Sequence, residues 1–229
     1  MTQYLFEPTA PATIPIIGSE KLYPVNRIFC VGRNYEAHAA EMGAVVDRDA
    51  PFYFTKSPTT LVMAEGEIAY APLTENYHYE MELVFALKSG GTKIAEADAL
   101  SHIYGCAAGL DMTRRDLQNK AKENRKPWDT AKDVDESAVI TPLRQMAEVP
   151  SVASGRIHLS QNGTVKQDAD LSEMVWSVPE IIADLSTMYK LQQGDVIYMG
   201  TPAGVGAVSR GDVLAGGVEG IGDFELKIV

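Results

Sequence analysis

The sequence predicts an α+β fold that is dominated by β-strands, rolled or barrel-like, with a few peripheral helices. Three observations predict it: many short apolar segments typical of strands, frequent glycines between them (19 in all), and few segments of helical composition. A chain of 229 residues with 45% hydrophobic residues can form one large domain. We expect residues 1–24, rich in Pro and Thr, to form an irregular N-terminal arm, and residues 25–229 to form the main domain.

The first half of the chain is expected to contain short strands and three helices. Gly43 is a suitable C-cap for the first helix, and Pro127, which cannot continue a helix, ends the third. Gly66 separates two strand fragments. We expect strands at 27–31, 51–55, 61–62, 68–70, 80–87 and 103–111, and helices at 35–42, 95–101 and 114–126.

The second half contains the strongest turn and capping signals. Asn162 and Gly163 separate two strand-like segments and predict a β-hairpin. Ser177 is a suitable N-cap, and Pro179 in the first turn supports a helix that runs to about residue 188. We expect further strands at 157–159, 164–166, 194–197, 211–214 and 222–228.

Charge and composition exclude several kinds of partner. The net charge is −11, so we expect neither nucleic acid nor an anionic membrane surface as a partner. No apolar run reaches the length of a membrane span, and the N-terminus lacks the features of a secretory signal, so we expect a cytoplasmic location. Cys30 and Cys106 lie in apolar segments without CxxC spacing, which predicts packed thiols.

Glu80 and Glu82 form the most informative polar pattern, because residues two apart on a strand share a face. Paired carboxylates on a half-buried strand repel each other unless a cation joins them; a solvated strand face is the alternative. Asp111, at the end of a later strand, can supply a third oxygen ligand, although it also suits a helix N-cap. Three carboxylates favour Mg²⁺ or Mn²⁺. His78 is expected to be structural rather than a ligand.

His38 and Glu41 lie three residues apart on an expected helix, so their side chains can form a hydrogen bond. A histidine oriented by a carboxylate can act as a general base and activate water. A surface polar pair is the alternative, and the spacing alone favours it. Lys132 follows the third expected helix and is either solvated or, in a pocket, able to stabilise an oxyanion.

Two further segments leave their roles open. A basic segment is either a solvated helix face or a local anion-binding site in an otherwise acidic chain. The glycines of residues 200–206 permit close approach of the backbone to an anionic ligand, with a plain tight turn as the alternative. The basic residues are Arg114, Arg115, Lys120, Lys122, Arg125 and Lys126.

Six segments, in this order, resemble the fumarylacetoacetate hydrolase superfamily. They cover nearly everything from Val25 onward, and their combination is specific although no single segment is. They are VGRNYEAHAAEMG (31–43), FYFTKSP (52–58), NYHYEMELVFAL (76–87), GLDMTRRDLQ (109–118), PWDTAK (127–132) and GDVIYMGTPAGVG (194–206). The run from PVNRIFCVGRNY through ENYHYEMEL to RRDLQ is similar in particular to the bacterial acylpyruvate hydrolases, among them those that act on fumarylpyruvate.

This resemblance implies a mixed β-roll of the kind found in the C-terminal domain of these enzymes, with residues 25–229 as the catalytic domain. It also implies a homodimer with one Mg²⁺ or Mn²⁺ per subunit and a mobile helix that carries the general base. The matching positions are Glu80, Glu82 and Asp111 for the metal, His38, Glu41 and Lys132 for catalysis, and Gln118, Thr201, Arg33 and Lys56 for substrate contacts.

The chain departs from the superfamily pattern directly after Lys132. Relatives commonly carry a small residue and then Phe there, whereas this chain has Asp133 and Val134. An acid at this position either raises the pKa of the lysine or neutralises it, or else points away from it.

The activity implied is metal-dependent hydrolysis of a C–C bond in a 2,4-diketo acid, with 3-fumarylpyruvate as the expected substrate and fumarate and pyruvate as products. One alternative is another reaction of the same enolate: oxaloacetate decarboxylation or tautomerisation, or isomerisation or decarboxylation of a homoprotocatechuate-pathway intermediate. A second alternative is a non-catalytic, metal-dependent binder of small dicarboxylates.

Overall fold

This computed structural model describes residues 3–43 and 47–229. The strands, numbered along the chain, are β1 (Thr13–Pro15), β2 (Leu22–Pro24), β3 (Arg27–Gly32), β4 (Phe52–Lys56), β5 (Leu61–Met63), β6 (Gly66–Ile68), β7 (Tyr77–Tyr79), β8 (Met81–Leu87), β9 (Ile103–Asp111), β10 (Thr113–Arg114), β11 (Ala138–Ile140), β12 (Arg144–Gln145), β13 (Arg156–Gln161), β14 (Thr164–Asp170), β15 (Asp195–Tyr198), β16 (Gly206–Ala207), β17 (Val213–Val218) and β18 (Gly222–Ile228). The α-helices are α1 (Glu36–Glu41), α2 (Glu96–Ala99), α3 (Arg115–Glu123), α4 (Asp129–Lys132) and α5 (Val178–Met188).

Two large mixed sheets confirm the predicted β-dominated fold with few helices. One has eight strands, in the order β4-β3-β15-β8-β9-β11-β5, with β12 beside β9. The other has five strands, in the order β14-β13-β17-β18-β6. Two small sheets complete the structure: β10-β7-β16, and the hairpin of β1 and β2.

Strand β8 is buried along its whole length because both faces of the eight-stranded sheet are covered. On one face, Leu83 and Phe85 pack in a core with residues of the five-stranded sheet and α5. On the other face, Val84 and Ala86 belong to a second core that includes Ile14 of β1. Glu82 has the parity of this second face and therefore lies deep in the protein, where a charged group requires partners.

Several elements agree closely with the sequence-based expectations. Asn162 and Gly163 both have positive φ, at 52° and 77°, and join β13 to β14 as the predicted hairpin. Ser177 and Glu180 form a capping box at the start of α5, so the predicted N-cap is confirmed. Strand β9 ends at Asp111 as expected.

The expected single strand 80–87 is wrong at its first residue. Glu80 lies in a break, where the chain leaves the small sheet through β7 and enters the eight-stranded sheet through β8. The arm was expected to be irregular, yet residues 13–24 contain a paired hairpin and bury Ile14 and Tyr23. The short helix α4 was not anticipated. Residues 1 and 2 of the arm lie outside the described residues.

None of the helices within residues 3–43 and 47–229 combines the length and the apolar character needed to cross a membrane.

Candidate active site

Three buried carboxylates meet where β7, β8 and β9 adjoin. Glu80, Glu82 and Asp111 each offer an oxygen, and these oxygens all lie within 4.8 Å of one another. The pairing of Met81 with Leu110 brings Asp111 opposite Glu80, whose carbonyl oxygen accepts a hydrogen bond of 2.9 Å from the Asp111 amide. Strand register therefore assembles the cluster.

Two cations hold Glu80. Lys132 Nζ donates to Glu80 Oε2 at 2.7 Å and to Asp111 Oδ2 at 2.6 Å, and the Arg115 guanidinium donates to Glu80 Oε1. Burial alone would raise the pKa of Glu80, but Lys132 and Arg115 hold it well below its usual range. Burial would likewise lower the pKa of Lys132, and Asp111 and Glu80 raise it instead. Both groups therefore remain charged at neutral pH.

Glu82 has a different environment. Its Oε2 accepts one hydrogen bond, of 2.8 Å, from the backbone amide of Gly200. Burial, followed by the neighbouring charges of Asp111 and Glu80, raises the pKa of Glu82 well above its usual value. A bound cation would lower the pKa of Glu82 again. The charged form of Glu80 is therefore stabilised by side chains of the protein, whereas the charged form of Glu82 would be stabilised by a cation.

His38 is buried within α1, one turn before Glu41. Its Nδ1 is 3.3 Å from Glu41 Oε2, which leaves Nε2 to face other groups. Burial lowers the pKa of His38, and this outweighs the opposing effects of Glu80 and Glu41. The Gly204 amide donates to Glu41 at 3.1 Å, so the glycine loop orients the carboxylate that orients the imidazole.

His38, Glu80, Glu82 and Lys132 all line a small cavity of about 30 Å³. Such a volume holds water but not a diketo acid. A neighbouring cavity of about 360 Å³, lined mainly by aromatic side chains, shares Phe54, Trp128 and Lys132 with it and has the volume of a small-molecule site. Of the site residues expected from the sequence, those that line the smaller cavity are Arg33, His38, Glu80, Glu82, Gln118, Lys132 and Thr201.

Gln118 and Thr201 are both buried and held by hydrogen bonds. Gln118 Oε1 accepts from Arg115 at 2.6 Å, and Thr201 Oγ1 accepts from Gln167 Nε2 at 2.8 Å. Gln167 also accepts from the Met81 amide at 3.0 Å, so one side chain of the five-stranded sheet links the Thr201 loop to the start of β8.

Lys56 does not line the cavity, and the expectation that it contacts substrate gains no support. Its Nζ is fully buried behind Asp111, 2.9 Å from Oδ1 but without the geometry of a hydrogen bond. It also donates to Ser137 Oγ at 2.8 Å and to the Lys132 carbonyl oxygen. Lys56 therefore neutralises Asp111 and fixes the backbone at Lys132.

Asp133 points away from the ammonium of Lys132. Its carboxylate accepts two hydrogen bonds of 2.7 Å from Ser57, one from the amide and one from the hydroxyl. His78 lies outside the carboxylate cluster, where Nε2 contacts Asn76 and Nδ1 accepts from Arg115. Burial and then the charge of Arg115 lower the pKa of His78 to about 4, so it is neutral at pH 7.

Sequence reasoning named the basic segment but could not say which of its members face the site. Arg115 and Lys122 line the smaller cavity and Lys126 lines the larger one, whereas Lys120 and Arg125 are exposed and line neither. Thr113, which accepts from Lys132 at 2.7 Å, and Gln167 were missed. Nothing local distinguishes either residue, since Thr113 lies in the two-residue polar strand β10 and Gln167 lies in β14, far along the chain from the carboxylates.

The donor set fits a hard divalent cation. All three donors are carboxylates, each 5% exposed or less, and no thiol or imidazole is among them. Mg²⁺ and Mn²⁺ prefer such oxygen ligands. The raised pKa of Glu82 indicates that this cluster favours added positive charge.

Comparison with known proteins agrees with this geometry. Residues 27–229 match the family model described as fumarylacetoacetate (FAA) hydrolase C-terminal. The chain is 52% identical to a fumarylpyruvate hydrolase of Ralstonia sp. over 189 residues. The aligned region covers 82% of this chain and 98% of that protein. It is 36% identical to the mitochondrial oxaloacetate tautomerase FAHD1 of Rattus norvegicus, over 88% of this chain and 90% of that protein.

A solved structure is also closely similar. The fumarylpyruvate hydrolase of Pseudomonas aeruginosa, crystallised in complex with Mn²⁺ and pyruvate, superposes with a TM-score of 0.96 at 42% identity and covers 99% of both chains.

Proposed function

The chain belongs to the fumarylacetoacetate hydrolase family, and from this premise we propose that it hydrolyses a C–C bond of a 2,4-diketo acid, 3-fumarylpyruvate, to fumarate and pyruvate. The observation that carries the proposal is that Glu80, Glu82, His38 and Lys132 line one cavity, with Asp111 clustered beside the two glutamates. The similarity to fumarylpyruvate hydrolases over most of the chain supports this choice of substrate.

Glu80, Glu82 and Asp111 would hold one Mg²⁺ or Mn²⁺. A bound ion would supply Lewis-acid chemistry toward the keto-acid end of the substrate. The protein's part is to pair Glu80 with Lys132 and Arg115, to pair Asp111 with Lys132 and Lys56, and to hold the carboxylates side by side through strand pairing.

His38 is the proposed general base. Since Nδ1 contacts Glu41, Nε2 is available to take a proton from water, whose oxygen then adds to the C4 carbonyl carbon. The lowered pKa of His38 ensures that the base is neutral at pH 7. The C3–C4 bond then breaks, fumarate forms at C4, and the proton held by His38 is available to the departing pyruvate enolate at C3.

Lys132 is the proposed donor to the oxyanion that forms at C4. Its ammonium already donates to Glu80, Asp111 and Thr113, so one of these three hydrogen bonds must give way to the oxyanion. Lys132 is buried, it keeps its proton because of its acidic neighbours, and it lines the cavity. A fixed cation at this point stabilises the tetrahedral intermediate more than the ground-state carbonyl. Gln118 and Thr201 line the same cavity, and we propose that they contact the keto-acid end of the substrate.

A panel of acylpyruvates tests this function. Purified protein with Mg²⁺ or Mn²⁺ should remove the ultraviolet absorbance of fumarylpyruvate and release fumarate and pyruvate, and EDTA should abolish the reaction. Absence of turnover for every acylpyruvate in the presence of either metal would refute the hydrolase assignment and favour a dicarboxylate binder.

Oxaloacetate tautomerisation is a second candidate, because a protein with that activity is 36% identical over most of its length. A tautomerase needs no attacking water. The replacement His38→Ala should therefore abolish hydrolysis, and a tautomerase activity that survives it, on the same preparation, would identify tautomerisation as the main reaction.

We further propose that the enzyme is a homodimer, works in the cytoplasm and serves the breakdown of aromatic compounds. Residues 1–24 are proposed as an arm beside the catalytic domain 25–229. Its exposed apolar side chains, Tyr4, Leu5 and Phe6, suit a protein contact. Light scattering coupled to gel filtration gives the oligomeric state, and a monomer at micromolar concentration contradicts the dimer.

A further inference from the structure

The smaller cavity carries more positive charge than the proposed mechanism uses. Four cationic side chains line it, namely Arg33, Arg115, Lys122 and Lys132, against the two carboxylates of Glu80 and Glu82. Arg115 and Lys132 pair with Glu80, but Arg33 and Lys122 form no ion pair with any acid in residues 3–43 and 47–229. Arg33 is exposed and Lys122 is half-buried, so an anion from solution can reach both cations where they line the cavity.

An aromatic pair holds these two cations in place. Phe52 and Trp128 pack edge to face, with ring centroids 4.9 Å apart. The guanidinium carbon of Arg33 lies 5.7 Å from the centroid of Phe52, and Nζ of Lys122 lies 5.1 Å from that of Trp128. Both distances fall in the range of cation–π contacts, which position a cation without neutralising it.

The backbone and the electrostatics agree with a built anion site. Arg33 adopts a positive φ of 58°, which the buried side chain of Asn34 supports through hydrogen bonds of 2.8 and 3.0 Å to the carbonyl oxygens of Met199 and Trp176. Burial, then the charges of Arg115 and Arg33, lower the pKa of Lys122 to about 8. An anion placed among these groups would relieve their mutual repulsion.

We propose that Lys122, together with Arg33, binds the second carboxylate of the substrate and thereby selects dianionic acylpyruvates over monoanionic ones. This inference rests on the proposed function, since it assigns the end of the diketo acid that is remote from the three metal-binding carboxylates. Lys122 is then a specificity residue and takes no part in bond breaking.

Comparing a dianionic with a monoanionic substrate tests the proposal. The ratio of kcat/KM for fumarylpyruvate to that for acetylpyruvate should fall about tenfold or more in Lys122→Met, mainly through KM for fumarylpyruvate, because a charged hydrogen bond to the second carboxylate is lost. Lys122→Arg should restore most of the ratio. Lys120→Met, on the exposed side of the same helix, serves as the matched control and should leave the ratio unchanged.

A ratio within about twofold of wild type in Lys122→Met would overturn the proposal, as would an equal loss for both substrates. Arg33→Gln provides an independent variant if Lys122→Met does not fold. If wild type turned over neither compound, the proposed function would fail, while their dissociation constants for metal-loaded protein, measured by calorimetry, would still decide the role of Lys122.

Discussion

Glu80 and Glu82 are two residues apart, yet their surroundings give them opposite pKa shifts. Glu80 is ion-paired with Lys132 and Arg115, whereas Glu82 has one backbone donor and two acidic neighbours. From the sequence alone, the two glutamates are expected to be equivalent metal ligands. The structure shows that Glu80 is already paired with cationic side chains of the protein, whereas the surroundings of Glu82 disfavour its charged form.

This difference predicts opposite effects of two isosteric replacements on folding. Both Glu80→Gln and Glu82→Gln should abolish metal binding, measured by metal content after dialysis. Without metal, Glu82→Gln should be as stable as wild type or more stable at pH 7, because it removes a buried carboxyl group whose charged form is disfavoured by burial and by its acidic neighbours. Glu80→Gln should lose about 1–3 kcal/mol, because two buried cations lose their anion.

Urea unfolding in EDTA gives both free energies of unfolding, with the exposed Glu225→Gln as control. Equal changes in the free energy of unfolding for Glu80→Gln and Glu82→Gln would show that the ion pairs of Glu80 contribute no additional stability.

The pH dependence of hydrolysis should report His38. Its pKa lies below the usual 6.5 because burial disfavours the imidazolium. As a base it must be neutral, so kcat/KM should be level near pH 7 and fall only as the pH drops through this lowered pKa. Glu41→Gln removes a group that favours the imidazolium and should move the inflection to still lower pH. An inflection above 6.5 in wild type would contradict this.

At the scale of elements, the loop after β15 connects the proposed metal ligand Glu82 to Glu41, the partner of the proposed base His38. The Gly200 amide donates to Glu82, and the Gly204 amide donates to Glu41. The glycines were expected to allow close approach to an anionic ligand or to form a plain turn. The anions that they approach are the protein's own carboxylates.

Gly200 is required both by its backbone and by its neighbours. Its φ is 89°, and an added Cβ would lie 2.8 Å from Asn34 Cβ and 3.0 Å from the Val31 carbonyl oxygen. Gly200→Ala should therefore cost about 1–3 kcal/mol of stability and weaken metal binding.

Gly211→Ala is a matched control for the backbone term alone, since Gly211 also has a positive φ but no atom within 4 Å of the added Cβ. Chemical denaturation should show a larger loss for Gly200→Ala. An equal loss would mean that contact with Asn34 and Val31 contributes nothing.

At the scale of the whole molecule, the proposed metal site lies between the two hydrophobic cores and not on a surface. Strands β7, β8 and β9 each contribute to it or flank it, and both faces of the sheet around it are buried. Ligand binding at such a position is coupled to global folding, because the unfolded chain cannot hold the three carboxylates together.

Metal should therefore raise the melting temperature. A free Mn²⁺ concentration about 100-fold above Kd should add about 2.7 kcal/mol to the free energy of unfolding. Differential scanning calorimetry with Mn²⁺, Mg²⁺ and EDTA measures the shift, and Glu82→Gln should remove it. A shift that persists in this variant would indicate binding elsewhere.

The sequence by itself determined the β-dominated class, the hairpin at Asn162, the capped helix α5 and the chemistry of the candidate ligands. These features depend on local terms: turn geometry, capping, strand alternation and side-chain type. The order of the motifs also identified the family, because that order is a property of the chain alone.

Only the tertiary structure decided which polar groups meet. It brought Arg115 and Lys122 to the cavity and left Lys120 in water, placed Lys56 behind Asp111, and joined Gln167 to Thr201. These contacts depend on register and crossing between sheets distant in sequence, and no local propensity encodes them. The break at Glu80, which opens the site, has the same cause, since it lies where the chain passes from one sheet to another.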